Sequence, residues 1–315
     1  MEKSLKNVEI VTNPDSNHWH EIVEWMAKEV EWPFTHEDLD TWKKSFCGKF
    51  WLYVAVVKET KQAIGCVMLM SEPPASGKAD DIVYILGIYY VREEWRKYGV
   101  GNALFSKIME VAHGSNVALI AEPSMSPKYA SKYGFDKMPK FRNDMAIIPT
   151  EHIVIPKADP NYILKDINEV DAKKLAVYDS SASMFNRAEY LLNFISSSNC
   201  YTKVAVNQSR EIVGYCCIRA VLANYLMMTP LYADDEAVAR TLLAGVLPMI
   251  KNIRSYKRLE SYYPAVNKQA HSLFESLGGG HTMIKIHSQS AFTKKIVPIA
   301  GEKVFGMLIS ANGYV

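Results

Sequence analysis

The residues of this chain best suited to chemistry lie in the run Arg96-Lys97-Tyr98-Gly99-Val100-Gly101-Asn102. The run follows a long apolar, β-rich stretch from Asp81 to Val91. It opens an amphipathic stretch in which Val100, Leu104, Ile108 and Val111 share one helical face. Glycines at 99 and 101 let successive backbone N–H groups turn toward an anion with no Cβ in the way. The helix that follows adds the positive end of its dipole, so a phosphate or pyrophosphate is the natural guest. The run is not a Walker A loop, because GxxxxGK[ST] is absent. Nor is it a dinucleotide fingerprint, which needs GxGxxG and an acidic residue about 20 positions on within a βαβ unit. On its residues alone, Arg96-x-x-Gly99-x-Gly101 also reads as a tight strand-to-helix turn carrying a surface arginine.

The elements that must position this loop are legible on both sides of it. Residues 17–44 read as helical, with Trp19, Ile22, Val23, Met26 and Val30 at three-to-four spacing. Pro33 breaks the run, and Thr35 with Asp38 restarts it as a capping box. Phe50 to Val57 and Ala63 to Met70 are apolar runs around the polar turn 58–62, which makes a hairpin. Residues 71–80 are a loop. Val117 to Ala121 is a short buried strand, and Ser126 to Lys132 a helix closed by Gly134. The second half repeats the layout. Val54-Ala55-Val56 to Ile64-Gly65-Cys66 resembles Val204-Ala205-Val206 to Val213-Gly214-Tyr215. Ala130-Ser131-Lys132-Tyr133-Gly134-Phe135 likewise resembles Phe274-Glu275-Ser276-Leu277-Gly278-Gly279. The order is the same in both halves, so the chain reads as a duplicated α+β unit: 1–147, a linker over 148–160 that holds Pro149, Pro156 and Pro160, and 161–315. The tail after about residue 283 has strand-like stretches that periodicity does not place.

Helix, hairpin, long strand, [R/Q]xxGx[G/A] loop, helix, strand and a closing Tyr133-Gly134-Phe135 together resemble the GNAT superfamily of acyl-CoA-dependent N-acyltransferases. The segment Val91 to Asn102 is similar to its acetyl-CoA motif. The resemblance covers 1–147, and 162–283 resemble a second, diverged unit, as in tandem GNAT proteins. It implies an α+β fold of two units, each a mixed, mostly antiparallel sheet flanked by helices. It further implies that Lys97, Tyr98, Gly99, Val100, Gly101 and Asn102 offer N–H groups to the pyrophosphate of acetyl-CoA, with Arg96 adding charge. Tyr89, Tyr90 and Val91 would hydrogen-bond the pantetheine as an added strand does. In the second unit the place of the loop is taken by Thr229-Pro230-Leu231-Tyr232-Ala233-Asp234. Pro230 lacks an N–H, and Asp234 and Asp235 repel a pyrophosphate, so that unit is expected to be a poor CoA binder by its own residues and to shape the acceptor pocket or the domain interface.

The family's catalytic positions are altered. Where many members carry a Glu or His nine residues before the loop arginine, this chain has Gly87. Where many carry a Tyr four residues before the closing glycine, it has Ala130, with Tyr129 one step earlier. Tyr129 is the expected acid toward the leaving thiolate, since a phenol and a thiol have comparable pKa values. Glu122, at the end of a buried strand, is the expected base, with burial raising its pKa.

Composition narrows the remaining choices. Of 315 residues, 36 are Lys or Arg and 34 Asp or Glu, a formal charge of +2, which gives no electrostatic reason to expect nucleic acid or an anionic membrane. Five cysteines with no CxxC fit a reducing compartment. The N-terminal residues lack the apolar core of a signal peptide, and no stretch reaches about 18 apolar residues. A cytoplasmic protein is the expectation. Cys216 and Cys217 should point to opposite sheet faces as packing thiols. His281 and His287, about 20 Å apart on an extended chain, are too far apart to share a metal and read as surface or interface residues. His18 and His20 are wrongly spaced for a metal pair on a helix. Arg187 and Arg219 read as structural ion-pair partners or as a site for an acidic group on the acceptor. No metal is expected. The activity implied is transfer of an acetyl group from acetyl-CoA to a small primary amine. A protein or peptide N-acetyltransferase and a non-catalytic acyl-CoA-binding sensor or scaffold are the alternatives.

Overall fold

The computed structural model describes residues 3–308. Its first half begins with strand β1 (Val8–Thr12) and two helices, α1 (Ser16–Glu29) and α2 (Asp38–Ser45). Asp15 caps α1 by accepting from the N–H groups of Asn17 and His18, and Trp19, Ile22, Val23 and Met26 form its buried face. The chain turns at Pro33. Thr35 N–H donates to the Asp38 carboxylate at 2.7 Å, half of the reciprocal arrangement expected there, and the helix begins at Asp38 itself. Next come the hairpin β2 (Phe50–Val57) and β3 (Ala63–Glu72), then β4 (Val83–Val91), α3 (Val100–Val111), β5 (Asn116–Ala121), α4 (Ser126–Tyr133) and β6 (Asn143–Pro149). The second half runs β7 (Ile163–Lys165), α5 (Ala172–Ser183), α6 (Ala188–Ile195), β8 (Cys200–Val206), β9 (Ile212–Val221), β10 (Tyr225–Ala233), α7 (Glu236–Val246), β11 (Arg258–Pro264), α8 (Lys268–Leu277), β12 (Met283–Phe292) and β13 (Val304–Gly306). The duplicated order of elements read from the sequence is therefore the order observed.

Among the described residues all the strands join in one sheet, ordered β1-β2-β3-β4-β5-β12-β6-β11-β10-β9-β8-β7, with β13 paired to β10. The two halves exchange strands at its centre. Strand β6 of the first half pairs antiparallel with β11 of the second, from Asn143↔Pro264 to Pro149↔Arg258. Strand β12 of the second half lies between β5 and β6. The segment that periodicity left unplaced is thus a central strand. Its hydrogen-bonding partners lie well over 100 residues upstream, so nothing local could announce them.

Helices α1, α2, α5 and α6 cover one face of the sheet over a single core that contains Trp19, Trp42, Tyr190, Phe194 and Tyr232. On the other face two cores divide, one under α3 and α4 and one under α7 and α8. Cys217 belongs to the shared core and Cys216 to the opposite face, as strand alternation requires. The halves are also pinned by a buried ion pair, Arg219 to Asp38 at 2.8 Å, and by Tyr225 Oη donating to Glu31 O at 2.8 Å. The loop after β3 is tied to the residues between α5 and α6 by Ala75 N donating to Met184 O and Asn186 N to Pro73 O. No helix is long and apolar enough to cross a membrane among the described residues.

Candidate active site

Strands β4 and β5 pair in parallel from Val83↔Asn116 to Leu86↔Leu119 and then part. A bulge in β4 steers the parting. The register against β3 shifts between Met68↔Gly87 and Cys66↔Tyr90, and Ile88 takes a left-handed φ of +42°. After the bulge Ile88 and Tyr90 face α1 and α2, while Tyr89 and Val91 face α3. The gap opens into a cleft of about 1060 Å³, lined by the ends of β4 and β5, the start of α3, one side of α4, and Tyr262 and His287. Gly87 forms part of the cleft wall at the bulge.

The loop between β4 and α3 has the backbone of an anion cradle. Lys97 and Gly99 both have left-handed φ, +71° and +86°, on either side of Tyr98. Gly99 is the N-cap of α3 and offers no side chain to its first N–H groups, so those donors have no side-chain acceptor of their own. At Gly101 a Cβ would fall 2.5 Å from Tyr89 Oη, so any larger residue there would have to displace the Tyr89 side chain. Arg96 folds back, its Nε donating to Val91 O at 3.0 Å with the guanidinium 5.3 Å over the Tyr90 ring. Its charge stays at the cleft mouth beside Lys97, Lys128 and Lys132. Asn102 lines the cleft and accepts from Lys132 Nζ at 2.6 Å and Tyr133 Oη at 3.1 Å. Tyr98 is exposed and packs on Trp95, and the Val100 side chain is buried in the core. Neither of those two residues, both expected at the cofactor, lines the cleft.

Tyr129 lines the cleft from α4, buried among Tyr89, Phe105, Tyr133 and Phe135. Burial, with the neighbouring Tyr133 and Glu122, pushes its phenol up to about 12, so it is protonated throughout the physiological range. Burial likewise raises Tyr89. Glu122 lies at the end of β5 and lines the mouth, but it is exposed; the burial expected of it is absent.

Sequence reasoning did not place Phe34, Tyr262 or His287 on the remaining wall of the cleft. Trp32, Pro33 and Phe34, from the connection between α1 and α2, line it together with Tyr262 of β11 and His287 of β12. Of the surface and interface readings of His287, this placement rules out the first. Its ring stacks on Tyr262 with centroids 3.9 Å apart, and burial, with Lys285 nearby, lowers its pKa to about 4. The signal was out of reach because β12 meets the first unit only through the strand exchange. His281 instead stacks on His152 at 3.7 Å. No cluster of three or more His, Cys, Asp or Glu side chains suits a metal among the described residues.

The equivalent gap in the second unit is filled. Strands β10 and β11 pair in parallel at Leu226↔Leu259 and Met227↔Glu260, and β10 bulges after Met228. There β13 pairs with β10 through Leu231↔Gly306 and Tyr232↔Val304, and Met307 N donates to Tyr262 O of β11 at 2.7 Å. Residues 304–308 are buried. Asp235 caps α7 by accepting from Val238 N–H, so this helix start already holds a carboxylate. Arg187 is consumed by a buried pair with Asp179, bonded at 3.0 Å through two nitrogens.

Comparison with known proteins agrees with this anatomy. A family model described as "Protein of unknown function (DUF1248)" matches residues 5–182, and one described as "Acetyltransferase (GNAT) domain" matches 175–284. No curated protein matches the sequence. Among solved structures, a candidate acetyltransferase from Pyrococcus horikoshii is similar at 14% identity and TM-score 0.70, covering 98% of this chain and 96% of its own. A tandem GNAT protein from the clavulanic acid biosynthesis pathway is similar at 16% identity and TM-score 0.63, over 90% and 97%. Saccharomyces cerevisiae N-myristoyltransferase with bound myristoyl-CoA is similar at 10% identity and TM-score 0.61, over 97% and 90%. At such identities the likeness is one of fold.

Proposed function

We propose, for a chain that belongs to the family described as protein of unknown function (DUF1248) and is built as a tandem GNAT acyltransferase, that the first unit binds acetyl-CoA and transfers its acetyl group to a small primary amine. The observation that carries this reading is the uncapped start of α3. It is preceded by two left-handed residues and set against a strand pair that opens at a bulge. That is a cradle for a pyrophosphate continuous with a slot for an extended chain. The N-myristoyltransferase of the same fold holds an acyl-CoA.

The acyl donor supplies a thioester carbonyl. The loop 96–102 would take the pyrophosphate through backbone N–H groups, with Arg96, Lys97, Lys128 and Lys132 adding positive charge. Beyond the bulge, β4 has lost β5 as a neighbour, so N–H groups around Tyr89 to Val91 would bond an amide-bearing chain and a carbonyl oxygen that gains charge, while the Val91 carbonyl is held by Arg96 Nε. The amine nitrogen forms a bond to the carbonyl carbon, the carbon–sulfur bond breaks, and the sulfur leaves with the electron pair. Tyr129, held protonated by burial, donates to that sulfur and regains its proton from water, and the same burial makes it a weaker acid than a free phenol. The nitrogen becomes acidic as its new bond forms, so a weak base suffices to take its proton. His287 is a neutral imidazole on the acceptor wall, and Glu122 at the mouth passes the proton to water. No covalent enzyme intermediate is needed. The second unit, its own gap filled by β13, contributes Tyr262 and His287 to the first unit's cleft.

Calorimetric titration of acetyl-CoA followed by thiol detection of released CoA across an amine panel tests the reading. One site per chain and amine-dependent CoA release are expected. Binding with no turnover on any amine would leave a CoA-binding sensor, and no binding would end the acyltransferase reading.

A further inference from the structure

The acceptor end of the cleft has a chemical character of its own. Trp32 stands edge-on to both Phe34 and Tyr90, with ring centroids 6.1 Å and 5.8 Å away. Tyr262 and His287 present a stacked pair of flat rings, tilted only 19° from each other. Ile88 adds an aliphatic surface at the bulge. Each of these rings is a rigid apolar body with its polar edge, if any, at one tip.

Charge is missing where a polyamine would need it. Among the described residues lining the cleft, Glu122 is the only carboxylate, and it stands with Lys128 and Lys132 at the end proposed for the cofactor. Three carboxylates near the acceptor end are already paired: Glu260, buried on β11 two residues from Tyr262, accepts from Arg258 Nε. Glu29 accepts from Arg92 Nε at 3.0 Å and Tyr90 Oη at 3.1 Å, and Glu31 accepts from Arg258 at 2.8 Å. A sugar would need a set of convergent donors and acceptors, and among the described residues the side chains of the acceptor end offer few: His287, the Trp32 indole N–H and the tyrosine hydroxyls. A flat apolar body loses no hydrogen bonds on entering such a slot and gains ring contacts there.

We infer that the acceptor is a primary amine carried on a flat aromatic body, an arylalkylamine, with Trp32, Phe34 and the Tyr262–His287 pair selecting the ring. This rests on the acyltransferase reading above and narrows it. In the reaction the amine nitrogen gains the acetyl group and loses one proton; the aromatic body is unchanged.

The test compares tryptamine and phenethylamine with spermidine and glucosamine, using acetyl-CoA and detection of free CoA. The aromatic amines are expected to exceed the others at least tenfold in kcat/KM. Trp32→Ala should raise KM for tryptamine at least tenfold and leave the Kd for acetyl-CoA unchanged, and Trp32→Phe should restore most of the loss. Should Trp32→Ala melt below the assay temperature, Trp32→Leu keeps the bulk and must show the same rise. Calorimetry of tryptamine into the CoA-saturated protein gives a second readout: binding in the wild type, at least tenfold weaker in the variant. Efficient transfer to spermidine or glucosamine but not to aromatic amines overturns this inference and leaves the acyltransferase reading standing. Failure to bind acetyl-CoA, or to acetylate any amine, overturns both.

Discussion

Replacing Gly99 with valine is the perturbation that most cleanly separates cofactor binding from folding. Gly99 has φ +86°, a conformation that costs an L-residue about 1–2 kcal/mol, with a β-branched side chain at the upper end. Space is not the obstacle: the nearest atom to a Cβ there is Leu5 Cδ2 at 3.6 Å, an ordinary contact. The folding cost is therefore the backbone strain alone, a drop of a few degrees in Tm for a chain of this size. Binding suffers more. Relaxing Gly99 toward negative φ turns the N–H groups of Lys97 to Gly101 away from a common centre. Each hydrogen bond to a charged acceptor contributes about 1.5–3 kcal/mol, so losing two removes about 3–6 kcal/mol. At 1.4 kcal/mol per decade that is at least about a hundredfold in Kd. Calorimetric titration of acetyl-CoA into wild type and variant, with a thermal melt of each, reads both quantities. A variant that melts within a few degrees of wild type yet binds acetyl-CoA with unchanged Kd would refute the cradle.

Three further outcomes follow from the same geometry. Tyr129→Phe removes one hydroxyl from an otherwise aromatic pocket; kcat should fall at least tenfold with the acetyl-CoA Kd little changed, and equal rates would remove Tyr129 as the proton donor. Arg187→Met should cost about 3–5 kcal/mol by chemical denaturation, because Asp179 would be left buried without its cation, and Arg187→Met with Asp179→Leu should recover much of that loss. Glu72 sits fully buried at the end of β3, its two oxygens without hydrogen-bond partners. Burial, reinforced by Asp179 and opposed by Arg187, lifts its carboxyl from an ordinary 4.5 to about 7. The folded protein therefore holds an extra proton between those values. Stability from this group is full below pH 4.5 and lost as pH rises through 7, so Glu72→Gln should raise Tm at pH 8 relative to wild type and not at pH 4.5.

The first unit was legible in the sequence because its signals are local. Glycines at 99 and 101, the period of Val100, Leu104 and Ile108, and the apolar runs of β2 to β4 each act within a dozen residues. The end of the cleft proposed for the cofactor is lined by Gly99 and Gly101 and by the end of β4. The acceptor end is not local. It joins Trp32 and Phe34 to Tyr262 and His287, residues more than 200 positions apart that the sheet brings together only because β12 inserts between β5 and β6. His287 shares its alternation with the exposed His281, Met283 and Lys285, and nothing in that pattern separates it from them. The same non-local step hid β13. Val304-Phe305-Gly306 is a short apolar run, and nothing near it in sequence shows that it completes the gap between β10 and β11. Glu122 failed differently: a residue at the end of a buried strand need not itself be buried.

A crystal structure of the protein grown with acetyl-CoA tests the central claim most directly. The account predicts one cofactor per chain, its pantetheine between β4 and β5 alongside Tyr89 to Val91 and its pyrophosphate on the loop from Lys97 to Asn102. The gap between β10 and β11 would still be filled by Val304 to Leu308. Cofactor lodged between β10 and β11 with the terminal strand displaced, or a first-unit cleft that stays empty at saturating acetyl-CoA, would contradict it.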